Sequence, residues 1–367
     1  MPSLYDTHAG QLMGSFLQRI ATGPEMSKDL SLEDARTGMS LILDGRVHPV
    51  QAAVFLIALR MKRESEDENR GILEAIRQST QFVIAEVDDL IDLADPYDGF
   101  LRHLPASPFL PAVLAACGVP AITHGVKAIG PKYGVTHHLI LSAAGLDVTI
   151  SPAQAARRIA DPDIGWSYVD QHEYNPALYN LVELRNLIIK RPCITTIEVM
   201  SGPVRAAGQT HLVTGYVHNG YKSIYIDLAR QAGYYSALII RGVEGGITPL
   251  LSKEVNCVSY FATEVEHEFV LDPSDIELNS ELKAVPLPAL DENPAQDDEA
   301  RKNLARAAAQ QGLKALQGHQ GLTRDSLVYA ASAYLLHLRR FSTLTSASRQ
   351  VRTVLDNGKA LAHFQGG

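Results

Sequence analysis

At 367 residues the chain has room for one large domain or two unequal ones, and its 46% hydrophobic and 20% charged content is that of a globular protein. Lys plus Arg number 33 against 41 Asp plus Glu, a net charge of −8, which argues against nucleic-acid binding over the whole surface but leaves room for a local basic groove. Three scattered cysteines, Cys117, Cys193 and Cys257, form no CxxC pair, so neither a structural zinc nor a disulfide framework is expected.

The opening stretch MPSLYDTHAGQLMGSFLQRI has no charged segment followed by an apolar run, and no segment reaches membrane-spanning length. The expectation is a cytoplasmic protein without a membrane partner. Helices are predicted over 10–20, 31–43, 49–61 and 66–79, where apolar residues recur at i, i+3 and i+4. Ser31 followed by Glu33 and Asp34 reads as an N-cap with an acidic first turn, and Pro49 suits a first helical position.

From about Asp88 short apolar runs at 90–93, 120–122, 146–150, 211–217, 236–240 and 267–271 alternate with helical patterns at 108–117, 136–144, 152–159, 224–232 and 297–316. That alternation predicts a mostly parallel sheet with helices on its faces. The stretch 175–189 reads as a single amphipathic helix able to return to the N-terminal helices, and further helices are predicted over 326–339 and 345–360. Residues 286–298, PLPALDENPAQDD, read as an acidic, Pro-rich surface linker.

Ligands in open α/β sheets bind beyond the carboxyl ends of the strands. Three glycine-bearing segments fall there: DLADPYDG (92–99), THGVKAIGPKYGVT (123–136) and RGVEGGITP (241–249). The middle one offers Lys127, Lys132 and Thr136 as donors, ahead of a helix whose first N–H groups suit an anion. Arg185 and Arg191 are two further cations. A guanidinium binds carboxylate or phosphate in a bidentate fork, or pairs with an acid such as Glu183 or Glu198, and the sequence leaves Arg185 open between the two. His211 and His218 are expected on opposite faces of a strand, and no HxH or HExxH spacing suggests a transition-metal site. His124 stands at a strand end and is the histidine expected at the phosphate site, with a backbone hydrogen bond that shapes the loop as its alternative role. The absence of GxSxG, GxxxxGK[ST] and GxGxxG removes most hydrolase, NTPase and dinucleotide readings. The tyrosines at 216, 221, 225, 234 and 235 read as helix–sheet packing.

Taken in order, five segments resemble the anthranilate phosphoribosyltransferases, glycosyltransferase family 3, and in particular their divergent TrpD2-like branch. These are residues 30–65 (LSLEDA…ILDGRVHPVQAAVFLIALRMKRES), 123–145 (THGVKAIGPKYGVTHHLILSAAG), 174–192 (YNPALYNLVELRNLIIKRP), 212–221 (LVTGYVHNGY) and 238–249 (LIIRGVEGGITP). The resemblance implies a small N-terminal all-helical domain and a large mostly parallel-sheet α/β domain, the class III phosphoribosyltransferase / nucleoside phosphorylase type. The helical domain would span 1–85, completed by a helix near 174–190, and the α/β domain 86–367. It implies a homodimer through the helical domains, PRPP as ligand, and Mg²⁺ on the pyrophosphate.

The same resemblance assigns residues. The pyrophosphate loop falls on Asp95–Gly99, with Pro96, Tyr97 and Asp98 in place of small residues; His124 and Gly125 keep half of the KHGN segment. Arg185 matches the acceptor-carboxylate arginine, Tyr174 is kept beside it, and Asn175 stands for the neighbouring histidine. The D-G-x-D-E stretch becomes Glu244 to Thr248, so that Ile247 and Thr248 replace the metal-binding acid pair. If the chain is an enzyme, Lys127, Lys132, Arg191 and Arg241 would partly substitute for the metal, Gly242 would lie against the phosphate, and Glu244 would position ribose hydroxyls. Otherwise the same cations suit a nucleic-acid backbone.

Overall fold

The computed structural model describes residues 6–23, 25–289 and 293–367; residues 1–5 of the opening stretch and 290–292 of the 286–298 linker lie outside the described residues. Contacts divide the chain into two units, one of Met1–Gln81, Ile129–Pro131 and Asn175–Ser201, the other of Phe82–Ala128, Lys132–Tyr174 and Gly202–Gly367.

Side-chain caps start the first unit's helices. Asp6 accepts from the amides of His8 and Ala9 ahead of α1 (Thr7–Ile20), and Ser31 from Asp34 N ahead of α2 (Leu32–Leu43). Pro49 opens α3 (Pro49–Lys62), and Ser65 and Glu68 form a reciprocal capping box on α4 (Glu66–Ser79). Glu68 is fully buried; it also receives Leu30 N at 2.8 Å and Lys62 Nζ at 2.7 Å. Gly71 lets α4 lie directly on α2, because a Cβ there would stand 2.3 Å from Leu32 O.

The single helix predicted over 175–189 is two helices, Pro176–Tyr179 and Val182–Ile188. The chain tightens between them through Leu181 N→Leu178 O at 3.1 Å, and Ile189, left-handed at φ 64°, ends the second. Asn175 caps the first and donates to Ile76 O, Ser79 and Thr80, fixing this segment to the end of α4.

In the second unit, β1 (Val83–Ala85) pairs in parallel with β5 (Val204–Ala206). The main sheet comprises β2 (Asp89–Ala94), β3 (Ala121–Gly125), β4 (Trp166–Asp170), β6 (Gln209–Gly215), β7 (Ser236–Ile240), β8 (Val255–Phe261) and β9 (His267–Leu271), in the order β4-β3-β2-β6-β7-β8-β9. The first five in that order are parallel, and β8 and then β9 are added by antiparallel pairing, so the carboxyl ends of β2, β3, β4, β6 and β7 share one edge.

The strand predicted at 146–150 is coil: Asp147 Oδ1 accepts from Thr149 N and Oγ1, a local turn that competes with strand pairing. β4 and β8 were not foreseen; β4 is buried throughout and so lacks alternation. β6 ends at Gly215, leaving His218 outside it. The predicted helix 345–360 is broken at Gly358, φ 77°, into Leu344–Asp356 and Lys359–Gly366. Among the described residues no helix is long and apolar enough to cross a membrane.

Candidate active site at the carboxyl edge of the sheet

β7 ends at Ile240 and the chain turns so tightly that a Cβ on Gly242 would meet Gly246 O at 2.0 Å. Glu244 is pushed into the left-handed region (φ 54°, ψ 20°). Its carboxylate accepts Arg102 N at 2.8 Å and Leu101 N at 3.1 Å, pairs with Lys132 Nζ at 2.9 Å, and faces His103 Nδ1 at 3.3 Å. Two successive amides and two basic side chains make an anion cradle, filled by the chain's own carboxylate. Burial alone would push the Glu244 carboxyl up. The His103 hydrogen bond, the Lys132 charge and bond, and the Leu101 amide together overcome it and hold the pKa at about 2.

The loop after β2 is closed in the same manner. Gly99, at φ 72°, packs against the backbone of Gly134 and Val135, leaving no room for a Cβ. Gly99 N donates to Pro96 O (3.1 Å) and Phe100 N to Val135 O (3.0 Å). With Leu101 N and Arg102 N on Glu244, the amides from 99 to 102 all have protein acceptors. Asp95 is buried between Ile247 N (2.7 Å) and His137 Nε2 (2.8 Å), and His137 continues to Thr123 Oγ1 at 2.9 Å.

Tyr97 turns inward. Its hydroxyl lies 2.5 Å from both His124 Nδ1 and Tyr174 Oη, His124 Nε2 is 2.9 Å from Asp92 Oδ1, and Tyr234 donates to Asp92 Oδ2 at 2.5 Å. All five are buried. His124 is therefore a link in a side-chain network rather than a shaper of its loop through a backbone bond. Gly125 ends β3, its absent Cβ in ordinary contact with Tyr168. Beside it Asp170 accepts from Tyr168 Oη at 3.1 Å and faces His138 Nδ1 at 2.7 Å, and burial, then the Asp170 charge, pushes the Tyr168 hydroxyl well up.

Several expected ligand contacts take other forms. Arg185, expected to hold an acceptor carboxylate, is a buried bidentate pair with Glu198, both arms at 2.7 Å. Asn175 is a helix cap and Tyr174 a buried hydroxyl of the Tyr97 network. Lys132, expected on phosphate, is paired with Glu244, so Glu244 does not face open space for a ribose. Thr136 caps a seven-residue helix, accepting Leu139 N, and donates to Lys127 O. Lys127, Arg191 and Arg241 are exposed, Arg191 in the helical unit. Lys127 borders a cleft of about 310 Å³ with His138, Ser142, Lys302 and Arg306.

Asp92, Tyr234, His103 and the 101–102 amides escaped sequence reasoning. A carboxylate inside the apolar run 90–93 was the available signal for Asp92; the others meet their partners only through the fold.

Mg²⁺ requires oxygen ligands. Ile247 is fully buried in the apolar core, Thr248 supplies at most a hydroxyl, and Glu244 is engaged. Among the described residues no group of three or more His, Cys, Asp or Glu side chains is placed to hold a metal ion. Ile247 and Thr248 therefore bring no carboxylate to such an ion.

Residues 15–80 match the glycosyl transferase family helical bundle domain and residues 106–361 its a/b domain. An uncharacterized protein of Aquifex aeolicus (strain VF5) is 30% identical over 226 residues, 61% of this chain and 66% of the relative. The anthranilate phosphoribosyltransferase of Rhodopseudomonas palustris (strain BisB18) is 26% identical over 353 residues, 96% of each chain. A solved anthranilate phosphoribosyltransferase from Saccharomyces cerevisiae, in complex with PRPP and Mg, superimposes with a TM-score of 0.75 at 13% identity, covering 97% of this chain and 96% of that one.

Proposed function

This chain belongs to the glycosyl transferase family whose helical-bundle and a/b domains it carries, an anthranilate phosphoribosyltransferase-like protein, and from that premise we propose that it binds a phosphate-bearing ligand without magnesium-dependent transfer to anthranilate. It would stand with the divergent TrpD2-like branch. The observation that carries this reading is the Glu244 carboxylate lying in the cradle of the 101–102 amides and Lys132.

Phosphoribosyl transfer expels pyrophosphate, and the developing negative charge must be met by preorganised donors or a metal. Here the amides at 99–102 and the Lys132 ammonium are engaged by protein acceptors, and Ile247 and Thr248 would bring no carboxylate to Mg²⁺. A phosphate would meet the exposed cations Lys127 and Arg241 instead. Purified protein with PRPP, anthranilate and Mg²⁺ is expected to form negligible phosphoribosylanthranilate; robust formation would overturn the proposal.

The cleft bordered by Lys127, Lys302 and Arg306 favours a second reading, nucleic acid held by its phosphates. Single-stranded oligonucleotide affinity that falls steeply with salt would support it, and salt-independent or absent binding would remove it. In the helical unit Val50, Met61, Leu187 and Ile189 are exposed apolar side chains, which supports a homodimer formed there. Light scattering that finds a monomer at all concentrations would exclude that assembly.

A further inference from the structure

The opposite edge of the sheet, where the parallel strands begin, carries a row of polar groups that the reading above leaves unused. Asp89 opens β2, His211 lies near the start of β6, and Ser236 opens β7; the parallel register sets His211 beside Ser236. Asp89 Oδ1 lies 3.1 Å from His211 Nε2, His211 Nδ1 lies 2.8 Å from Ser236 Oγ, and Ser236 Oγ lies 2.9 Å from His337 Nε2. Arg340 holds the other oxygen of Asp89. His337 ends the helix Leu322–His337 and borders a cleft of about 360 Å³ walled by Tyr260, Phe261, His267, Phe269 and Leu336.

The direction of every hydrogen bond in the row follows from its ends. Burial lowers the pKa of His211, and burial, with the His211 and Arg339 charges, lowers that of His337 to about 3, so both rings are neutral near pH 7. A neutral His211 beside a carboxylate carries its proton on Nε2, which leaves Nδ1 as an acceptor. The Ser236 hydroxyl must then donate to His211, and its oxygen accepts from His337 Nε2–H. His337 Nδ1 is left as a bare lone pair, with no protein donor among the described residues.

We propose that this cleft is a second ligand site, taking a small, neutral, planar molecule that presents one O–H or N–H donor to His337 Nδ1. The walls define the rest of the ligand. His267 and Phe269 stack at 5.8 Å between centroids, and Phe261 lies beneath the Arg339 guanidinium at 4.1 Å. Arg339 pairs with Glu264 at 2.5 Å, so the rim offers no uncompensated charge to attract an ion. The volume suits a ring of small-molecule size in an apolar pocket with one convergent polar group.

Phenol and anisole test this directly, because they share a ring and differ in the donor. Titration of the full chain, followed by the side-chain ¹⁵N resonances of His337, is expected to show phenol binding about tenfold more tightly than anisole, the worth of one hydrogen bond. Phenol should also shift the Nδ1 resonance. His337→Phe keeps a ring and removes the acceptor, and should abolish the preference for phenol; Ser236→Ala leaves the His337 tautomer unheld and should weaken it. Equal affinity of the two probes in the unmodified protein, or no movement of the His337 resonances, would overturn the proposal whether or not the variants fold.

Discussion

Two ion pairs, one in each unit, use up charges that the sequence offered to a ligand, and they do so differently. Arg185 and Glu198 meet fork to fork with 0% and 1% of their side chains exposed, a buried pair. Glu244 and Lys132 meet at a loop, with 4% and 13% exposed, and Glu244 also gathers two amides and His103. The first pair is a structural tie: removing one partner strands a buried charge. The second is an anion site with its anion supplied in cis, and removing Glu244 exposes donors rather than stranding them in the core.

The largest effect that sharpens this contrast belongs to the closed pair. Arg185→Ala is expected to destabilise the protein by about 3–5 kcal/mol in urea unfolding, as for other broken buried pairs; unchanged stability would mean that the guanidinium is available for a carboxylate ligand. Next comes Glu244→Ala, which should cost about 1–3 kcal/mol through the lost charge-assisted bonds and raise affinity for inorganic phosphate at least about tenfold through new bonds to Lys132 and the amides. Loss of stability without any gain in phosphate binding would reduce the cradle to a loop staple.

A pH series isolates the Glu244 carboxylate. Its folded pKa, about 2, lies below the ordinary 4.5, so its stabilisation is fully present above 4.5 and is lost as pH falls from 4.5 towards 2. The stability gap between the unmodified protein and Glu244→Gln should shrink by about 1–2 kcal/mol over that window, solvent screening included; a gap that stays constant would remove the charge from the account. The smallest effect is expected of Tyr97→Phe, about 1 kcal/mol for the hydroxyl shared by His124 and Tyr174. Differential scanning calorimetry that shows stabilisation instead would mean that the buried hydroxyl is a burden rather than a link.

Local signals were legible in the sequence and distant partners were not. Ser31 and Pro49 start helices through contacts within three residues, and periodicity places α1 to α4 to within a few residues at each end. Burial on both faces hides β4, since nothing alternates there, and Val148 and Ile150 give a coil the apolar rhythm of a strand. At the site, Glu244 and the missing acid pair were visible at once. What Glu244 binds was not, because Leu101 lies 143 positions away, and only strand order brings the two loops together. For Arg185 the sequence offered both a ligand and Glu198, and the fold brings Glu198 to it.

The most direct test of the central claim is calorimetric titration of the full chain with PRPP, with and without Mg²⁺. With the acid pair replaced by Ile247 and Thr248 and the cradle filled by Glu244, the affinity should be the same in both conditions. Binding that tightens about tenfold or more when Mg²⁺ is added would contradict the account, because other groups would then have to replace the lost acid pair.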